Sequence, residues 1–371
     1  MKIDGQIMKN EERAVFKLRG LYRQYGYAPY KMNRFEEYEL YVRNKDFLVS
    51  EEVITFTDSS GRLLALKPDV TLSIIKNTRD QAGFVQKVYY NENVFRIAKG
   101  THTFKEIMQA GLECIGDLGA YEIAEVLLLA VKSLELIGEN YVLDLSHMGL
   151  ISAVLESCGV SDAGKEQLLA ALNQKNVHEL EEICRAEALS EAAMQKMRAL
   201  IACYGPPEQA LAGLKPLLET AAEKTAFDSF CALFAILEQC GFAEKIRVDF
   251  SVGNDMKYYS GVVFKGYLEG IPASVLSGGQ YDKLLRKMGR KSGAIGFAVY
   301  LDLLERLAAG EPAYDVEVVL LHDRQEEPAC LVAAAERLAA EGSVLVAKEI
   351  PPQVKWRRLM RLREGRLEAV E

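Results

Sequence analysis

The residues best suited to chemistry lie in residues 105–116, where apolar and polar side chains alternate. Read as a β-strand, this segment places Gln109, Gly111 and Glu113 on one face and its apolar residues on the other. An amide and a carboxylate then flank a residue without a side chain, so a ligand could approach the backbone and be held from both ends. The alternative interpretation is a solvated sheet face with an incidental glycine, since exposed antiparallel faces are common.

Two other segments supply polar groups of a similar kind. Asp69 and Thr71 follow a predicted strand, in a loop that can present both side chains to a site. Tyr258, Tyr259 and Tyr281 add aromatic hydroxyls. Carboxylates, an amide and tyrosines, without a catalytic nucleophile or a set of metal ligands, indicate a site for a small zwitterion, and an amino acid fits that description.

The first part of the chain predicts a helix that leads into an antiparallel sheet. The turn sequence Asp-Ser-Ser-Gly at 58–61 lies between two β-rich runs and predicts a hairpin, because Gly and Asp tolerate the positive φ angles of the turn. Periodicity and turn residues together predict these elements: a helix over 10–25, an extended segment over 27–41, hairpin strands over 53–57 and 62–66, strands over 84–90, 93–97, 104–115 and 141–145, and a helix over 121–137.

The second part predicts a helical insertion within the sheet. Residues 162–240 have helical periodicity throughout, broken at Gly205-Pro206-Pro207, so we expect them to be all-helical. Strands followed by helices and then strands again indicate an α+β fold. The remaining predicted elements are strands over 245–250, 258–267 and 273–276, a helix over 295–307, and a small C-terminal α/β domain over 312–371 with strands at 316–321 and 344–347 and a helix at 331–340.

Composition excludes several classes of protein. The 371 residues contain 45 bases and 53 acids, so the net charge is −8 and a broad surface for nucleic acid is not expected. The seven cysteines are scattered without a C-x-x-C pair, which argues against a disulfide framework or a metal site. The charged start and the lack of a long apolar run predict a soluble, cytoplasmic protein without a membrane span.

Five segments, in their order along residues 9–309, resemble the class II aminoacyl-tRNA synthetase catalytic domain and, within that class, histidyl-tRNA synthetase. This resemblance implies an antiparallel sheet flanked by helices, formed by residues 1–161 and 241–309 on either side of the insertion. The segments are LALKPDVT, VFRIAKGTHTFKEIMQAGLECIG, MKYYSGVVF, SGGQYDKLL and GAIGFAVYLDLLERL.

The same resemblance assigns roles in a histidine site. It implies that Asp69 and Thr71 bind the α-ammonium group of histidine, with help from Gln109, and that Arg96 binds the carboxylate. The imidazole would be bound by Glu113 and by the tyrosines at 258, 259 and 281. This is chemically reasonable, because a carboxylate is the strongest available acceptor for a ring N–H. By alternation, the adjacent Tyr258 and Tyr259 are not both expected to point straight inward.

The sequence departs from the synthetase pattern at four places, two of which lose an arginine. Asn254 stands where the histidine-specific segment has an arginine, and Tyr300-Leu-Asp-Leu303 stands where the third signature should end Gly-Leu-Glu-Arg. Ala98 replaces an acidic residue of the second signature, and Asn33 replaces a proline of the first. Losing one preorganised donor typically costs on the order of 3 kcal/mol in activation, and we expect the loss of two or three such groups to abolish adenylation.

A histidine site without ATP chemistry resembles the regulatory subunits of ATP phosphoribosyltransferase. The resemblance implies a non-catalytic chain that binds histidine, needs no cofactor or metal, and activates and regulates a short-form catalytic subunit in the first step of histidine biosynthesis. It also implies a self-dimer within a hetero-oligomer. Binding of tRNA is not expected, because residues 313–371 contain nine bases and eleven acids. The basic run at 355–366 is accordingly expected to be a solvated helix or edge face. The alternatives are an active histidyl-tRNA synthetase and a stand-alone histidine sensor.

Overall fold

The computed structural model describes residues 8–45, 53–78, 80, 83–97, 102–252, 258–306, 313–323 and 325–370. The chain divides into two compact units, Met1–Leu307 and Ala308–Glu371. Each unit has its own sheet and its own apolar core. The finer division of the first unit at residues 161 and 240 stays a prediction.

Several helices begin at side chains that satisfy free backbone N–H groups. Ser161, Asn176, Ser190 and Thr220 each accept a hydrogen bond from the backbone of the following helix. The α-helices of the described residues are α1 (Asn10–Gln24), α2 (Tyr38–Arg43), α3 (Thr71–Asn77), α4 (Ala120–Ile137), α5 (Met148–Ser157), α6 (Asp162–Asn173), α7 (Val177–Ala186), α8 (Glu191–Ala202), α9 (Pro207–Ala212), α10 (Ala221–Gln239), α11 (Asp282–Lys287) and α12 (Pro328–Ala339).

The strands of the described residues form a nine-stranded sheet, a four-stranded sheet and a three-stranded sheet. They are β1 (Ala28–Pro29), β2 (Phe35–Glu37), β3 (Thr55–Thr57), β4 (Leu63–Leu66), β5 (Val85–Ile97), β6 (Phe104–Gly116), β7 (Tyr141–His147), β8 (Tyr204–Gly205), β9 (Ile246–Asp249), β10 (Val262–Leu268), β11 (Leu276–Gln280), β12 (Gly293–Tyr300), β13 (Val316–His322), β14 (Val344–Ala347), β15 (Trp356–Arg363) and β16 (Arg366–Ala369). The three-stranded sheet has the order β2-β4-β3.

The main sheet of the described residues has nine strands in the order β1-β5-β6-β12-β11-β10-β7-β9-β8. Its neighbours are antiparallel except for β1 with β5 and β7 with β9, which are parallel. The predicted α+β class is confirmed, and the predicted antiparallel sheet is a mixed one. The predicted hairpin is formed by β3 and β4, where the Asp58 carboxylate accepts hydrogen bonds from the backbone N–H groups of Ser60 and Arg62.

The two faces of the main sheet pack against different apolar clusters. On one face, Leu112 and Cys114 of β6 pack with the buried residues of α1 and α4 in the larger core. On the other face, Val88, Tyr90 and Ala294 belong to a second cluster that includes residues of α3 and α11. Since successive residues of β6 alternate between faces, Gln109, Gly111 and Glu113 all lie on the second face.

One predicted helix is wrong. Residues 293–300 form β12, a strand between β6 and β11, and only residues 301–306 are helical, as a 3₁₀ turn. Ile295 and Val299 are four apart, which matches a helical period, but strand pairing on both sides decides the conformation. Small residues permit that pairing: a Cβ atom at Gly296 would lie 1.8 Å from a Glu113 carboxylate oxygen.

Four other local predictions also differ from the structure. Residues 27–41 are not wholly extended, because α2 begins at Tyr38. The strands predicted over 84–90 and 93–97 are one strand, β5. The insertion is not all-helical, because its short strand β8 pairs with β9 at the edge of the main sheet. The basic run at 355–366, expected as a solvated helix or edge face, contains the whole of β15, which lies between β13 and β16.

The C-terminal unit consists of a four-stranded sheet in the order β14-β13-β15-β16, with α12 packed on it. Its core includes Val318 and Leu320 of β13, Leu338 of α12 and Leu362 of β15. Arg357 and Arg358 of β15 form ion pairs with Glu317 and Glu341. Across the described residues of both units, no helix is long and apolar enough to cross a membrane.

We predict that Leu134→Ala will destabilise the first unit by about 2–5 kcal/mol. The Leu134 side chain is fully buried and fills the space beside Gly266 of β10, so its truncation leaves a cavity between α4 and the sheet. Urea unfolding followed by circular dichroism measures the change. Leu63→Ala, at a position that is 47% exposed, is the matched control and should change stability by less than about 0.5 kcal/mol. Equal effects of the two substitutions would contradict the prediction.

Candidate functional site

The site lies on the second face of the main sheet, where β6 and β12 run side by side. Glu113 pairs with Gly296, Gly111 with Ala298, and Gln109 with Tyr300. Small residues of β12 therefore lie beside Glu113 and Gly111, and a large one lies beside Gln109. The predicted placement of Gln109 and Glu113 on one strand face agrees with this register.

Glu113 is the most deeply buried acid of the site, with 2% of its surface exposed. One carboxylate oxygen accepts a hydrogen bond of 2.8 Å from the Thr71 hydroxyl, and the other accepts one from the Tyr281 hydroxyl. Burial raises the pKa of Glu113 to about 8, although both hydroxyls favour the ionised form and lower it. Among the described residues, the hydrogen-bond partners of the Glu113 carboxylate are these two neutral hydroxyls.

Asp69 faces the same region from the loop between β4 and α3. Its carboxylate accepts a hydrogen bond of 2.9 Å from the backbone N–H of Leu72, which belongs to the first turn of α3. Burial raises the pKa of Asp69, and the nearby charges of Arg96 and Lys67 oppose this rise. The Asp69 charge in turn raises the pKa of Glu113, so the two carboxylates repel each other.

Arg96 supplies positive charge at the Asp69 end of the site. It is half-buried on β5, and its Nε donates a hydrogen bond of 3.2 Å to the carbonyl oxygen of Pro68. This bond holds the guanidinium beside the loop that carries Asp69. Lys67 is fully buried and forms an ion pair of 2.9 Å with Glu92, so a carboxylate of the protein already neutralises its charge.

All three predicted tyrosines reach the site. The rings of Tyr258 and Tyr259 meet edge to face with centroids 4.6 Å apart, and Tyr258 lies 5.8 Å from Tyr281. The charges of Asp69 and Glu113 both act on the hydroxyls of Tyr258 and Tyr259. Tyr258 packs against the second cluster and Tyr259 against the larger core, and the expectation that the two adjacent tyrosines do not both point straight inward stays a prediction.

Tyr90 and Tyr300 belong to the site but were missed in the sequence. The Tyr90 hydroxyl lies over Gly111, where an added Cβ atom would be 2.5 Å away, so the space above this glycine is filled by Tyr90 and not left for a ligand. Tyr300 is near Asp69 and Arg96. Strand pairing would have revealed both residues, since Tyr90 pairs with Gly111 and Tyr300 with Gln109.

Some predicted features lie elsewhere or cannot be placed. Asn254 and Ala98 lie outside the described residues. Leu303, at the position of the third-signature arginine, is partly buried against the larger core. Gln109 is 3% exposed at the end of the site opposite Glu113.

The arrangement favours a small ligand that donates hydrogen bonds and has a positive charge. Two carboxylates whose pKa values are raised by burial gain most from a cationic partner, because it removes their repulsion and compensates for lost solvation. Among the described residues, no group of three His, Cys, Asp or Glu side chains is placed to hold a metal ion. The surrounding tyrosine rings would exclude water from such a ligand.

Comparison with known proteins defines the family. The histidyl-tRNA synthetase family model matches residues 4–304. The chain belongs to this family. A relative from Oceanobacillus iheyensis, named ATP phosphoribosyltransferase regulatory subunit, is 26% identical over 338 residues, which cover 89% of this chain and 83% of the relative. Further relatives that are 25–28% identical have the same name.

Solved structures agree with this family membership. A crystal structure of an ATP phosphoribosyltransferase regulatory subunit/histidyl-tRNA synthetase from Bacillus halodurans is 25% identical in sequence to the present chain, with a TM-score of 0.76. The match covers 93% of the present chain and 90% of the Bacillus halodurans chain. A chain of the ATP phosphoribosyl transferase (HisG:HisZ) complex from Thermotoga maritima has 18% identity and a TM-score of 0.62, covering 78% and 97%, and shares the fold. The two resemblances found in the sequence are thereby confirmed.

We predict that Glu113→Gln will remove part of the pH dependence of stability in the ligand-free protein. The pKa of Glu113 is raised to about 8 by folding, so between about pH 4.5 and 8 the unfolded chain releases a proton that the folded chain retains. Stability from this group therefore falls as pH rises through that window, by at most about 5 kcal/mol. The glutamine cannot ionise, so the variant should gain stability relative to the wild type between pH 5 and pH 8.

Urea unfolding at several pH values in this range measures the difference. Glu238→Gln removes an exposed carboxylate from α10 and is the matched control, expected to leave the pH dependence unchanged. A constant difference between Glu113→Gln and the wild type from pH 5 to pH 8 would contradict the assignment of a raised pKa to Glu113.

We also predict that Gly296→Ala will destabilise the protein by about 1–3 kcal/mol through overpacking. Its new Cβ atom would lie 1.8 Å from Glu113 Oε2 and 2.5 Å from the carbonyl oxygen of Leu112. In a Glu113→Ala background the cost should be smaller, because the first of these clashes disappears. Thermal unfolding of the double-mutant cycle measures this coupling, and Gly20→Ala, in open space on α1, is the control. Zero coupling would show that the Glu113 carboxylate does not lie over Gly296.

Proposed function

We propose that this protein is a non-catalytic, histidine-binding regulatory subunit of ATP phosphoribosyltransferase. It would assemble with a short-form catalytic subunit and transmit feedback control by histidine to the first step of histidine biosynthesis. The names of the relatives support the regulatory role. The composition of the site supports the ligand.

The observation that carries the proposal is the pair of carboxylates on one side of the sheet. Histidine presents an α-ammonium group and a ring N–H, two donors that match two acceptors. Asp69, with Thr71 beside it, receives the ammonium group, and Glu113 receives the ring N–H. Each contact replaces a carboxylate–carboxylate repulsion by a charge-assisted hydrogen bond.

The other side chains complete the match. Arg96 lies next to the Asp69 loop, where it can pair with the ligand carboxylate while Gln109 lies at the same end of β6. Tyr258, Tyr259 and Tyr281 surround the imidazole position with rings and hydroxyls. The imidazole would then lie between aromatic faces and a carboxylate, and the polar end of the ligand would meet Asp69 and Arg96.

The site is poorly suited to a nucleotide triphosphate. Two carboxylates oppose a polyphosphate, and a third-signature arginine is replaced by Leu303, which packs on the core. A phosphoryl-group site depends on several preorganised cations, so the reduced cation set supports ligand binding without adenylation. The chain would accordingly act by binding alone.

Regulation requires that histidine prefer one arrangement of the assembly over another. If the complex with the catalytic subunit has two arrangements, histidine favours the one in which Asp69 and Glu113 are correctly placed. A difference of about 1–3 kcal/mol in binding free energy between the two would be enough for feedback control. A self-dimer of this chain within the complex would present two such sites.

We predict that the purified chain binds L-histidine and does not catalyse histidine-dependent exchange between pyrophosphate and ATP. Calorimetric titration with histidine and, separately, with ATP measures binding, and a radioactive exchange assay measures adenylation. Histidine should raise the melting temperature, since a ligand specific for the folded state stabilises it. Formation of histidyl-adenylate would instead identify an active histidyl-tRNA synthetase, and failure to bind histidine would refute the proposed ligand.

We further predict that Glu113→Gln weakens histidine binding by about tenfold to a hundredfold, because a charge-assisted hydrogen bond becomes a neutral one. In a mixture with a short-form catalytic subunit, the variant should still activate phosphoribosyl transfer but should need a correspondingly higher histidine concentration for inhibition. Glu238→Gln is the matched control. Unchanged inhibition would remove Glu113 from the site, and absence of activation by the wild type would favour a stand-alone histidine sensor.

A further inference from the structure

The residues of β12 that face the site change abruptly in size. Gly296 and Ala298, which pair with Glu113 and Gly111, present at most a methyl group. Tyr300 is the next residue on this face and presents a large ring. At about 3.4 Å per residue, Tyr300 lies about 7 Å beyond Ala298 along the strand. On the face of the site, β12 therefore presents small residues near Glu113 and a large ring at its C-terminal end.

Tyr300 lies at the end of the site that has the positive charge. It pairs with Gln109, and its hydroxyl is close enough to Arg96 and Asp69 for both charges to act on it. The Ser277 hydroxyl on β11 lies near the hydroxyls of both Tyr300 and Tyr259. Tyr300 is therefore placed at this end of the site by its strand register and lies near Ser277, Arg96 and Asp69.

The proposed ligand orientation brings a specific group against this ring. With the imidazole at Glu113 and the ammonium group at Asp69, the carboxylate would lie toward Arg96, at the end of the site where Tyr300 is near both Arg96 and Asp69. We infer that Tyr300 closes the site at the ligand carboxylate and thereby selects free histidine over derivatives that are extended at the carboxyl group. This inference rests on the proposed function, from which it takes the orientation of the ligand.

Selection of this kind suits a sensor of the free amino acid. A site open at the carboxylate would also accept peptides that begin with histidine, as well as esters and amides, because those compounds retain the ammonium group and the imidazole. Arg96 alone discriminates against them only by charge. A rigid ring beyond the carboxylate adds steric exclusion, which grows with the size of the added group.

Binding of two neutral amides of histidine distinguishes the effect of the size of the carboxyl substituent from the effect of the lost carboxylate charge. Histidinamide and its N-benzylamide both lack the carboxylate charge and differ only in the group beyond it. Calorimetric titration of the wild-type protein should show that the benzylamide binds at least about tenfold more weakly than histidinamide. Tyr300→Ala should reduce this ratio to less than about threefold, and Tyr300→Phe, which keeps the ring, should retain it. Val299→Ala truncates the neighbouring residue on the opposite face and should also retain the ratio.

Each outcome has one meaning. A wild-type ratio near one, or a ratio that Tyr300→Ala leaves unchanged, would overturn the inference while leaving histidine binding intact. Failure of the wild type to bind free histidine would refute the proposed function instead. The wild-type comparison needs no variant, so it tests the inference even if Tyr300→Ala does not fold.

Discussion

The Glu113 carboxylate is buried in a sheet where its direct partners are hydroxyl groups. Thr71 and Tyr281 satisfy both oxygens, yet burial still raises the pKa of Glu113 to about 8. A buried acid in such surroundings is most stable when protonated or when a cation approaches it. The rest of the site is arranged around this constraint, since Asp69 adds a second charge of the same sign and the tyrosines reduce access of water.

Close packing around Glu113 limits which residues can surround it. Gly296 must lack a side chain because Glu113 lies directly over it, and Gly111 must lack one because Tyr90 covers it. At these two glycines, β6 and β12 have no space for a larger side chain on the face of the site. Most of the other polar groups of the candidate site come from outside these two strands: the loop with Asp69, Arg96 on β5, and Tyr258, Tyr259 and Tyr281.

Family membership alone does not distinguish an enzyme from a binding subunit, because function depends on the groups at the site. The histidyl-tRNA synthetase family model covers the first unit, while the curated relatives are named as regulatory subunits. The difference between these functions lies in a few side chains. Amino-acid recognition requires acceptors and an aromatic enclosure, which the site contains, whereas adenylation requires cations around a polyphosphate. Leu303 stands at the position of the third-signature arginine and packs against the larger core.

Local pattern alone was enough to predict much of the chain. The hairpin at Asp58, helices α1 and α4, and the polar face of β6 all follow from turn chemistry and hydrophobic periodicity, which act over a few residues. The set Asp69, Thr71, Gln109 and Glu113 could be recognised because each residue lies in an informative local sequence. The tertiary structure alone decided that residues 293–300 form a strand, that β8 joins the sheet, and that Tyr90 and Tyr300 enter the site. These features depend on which strands become neighbours, and pairing between residues far apart in the chain leaves no periodic signal in either segment.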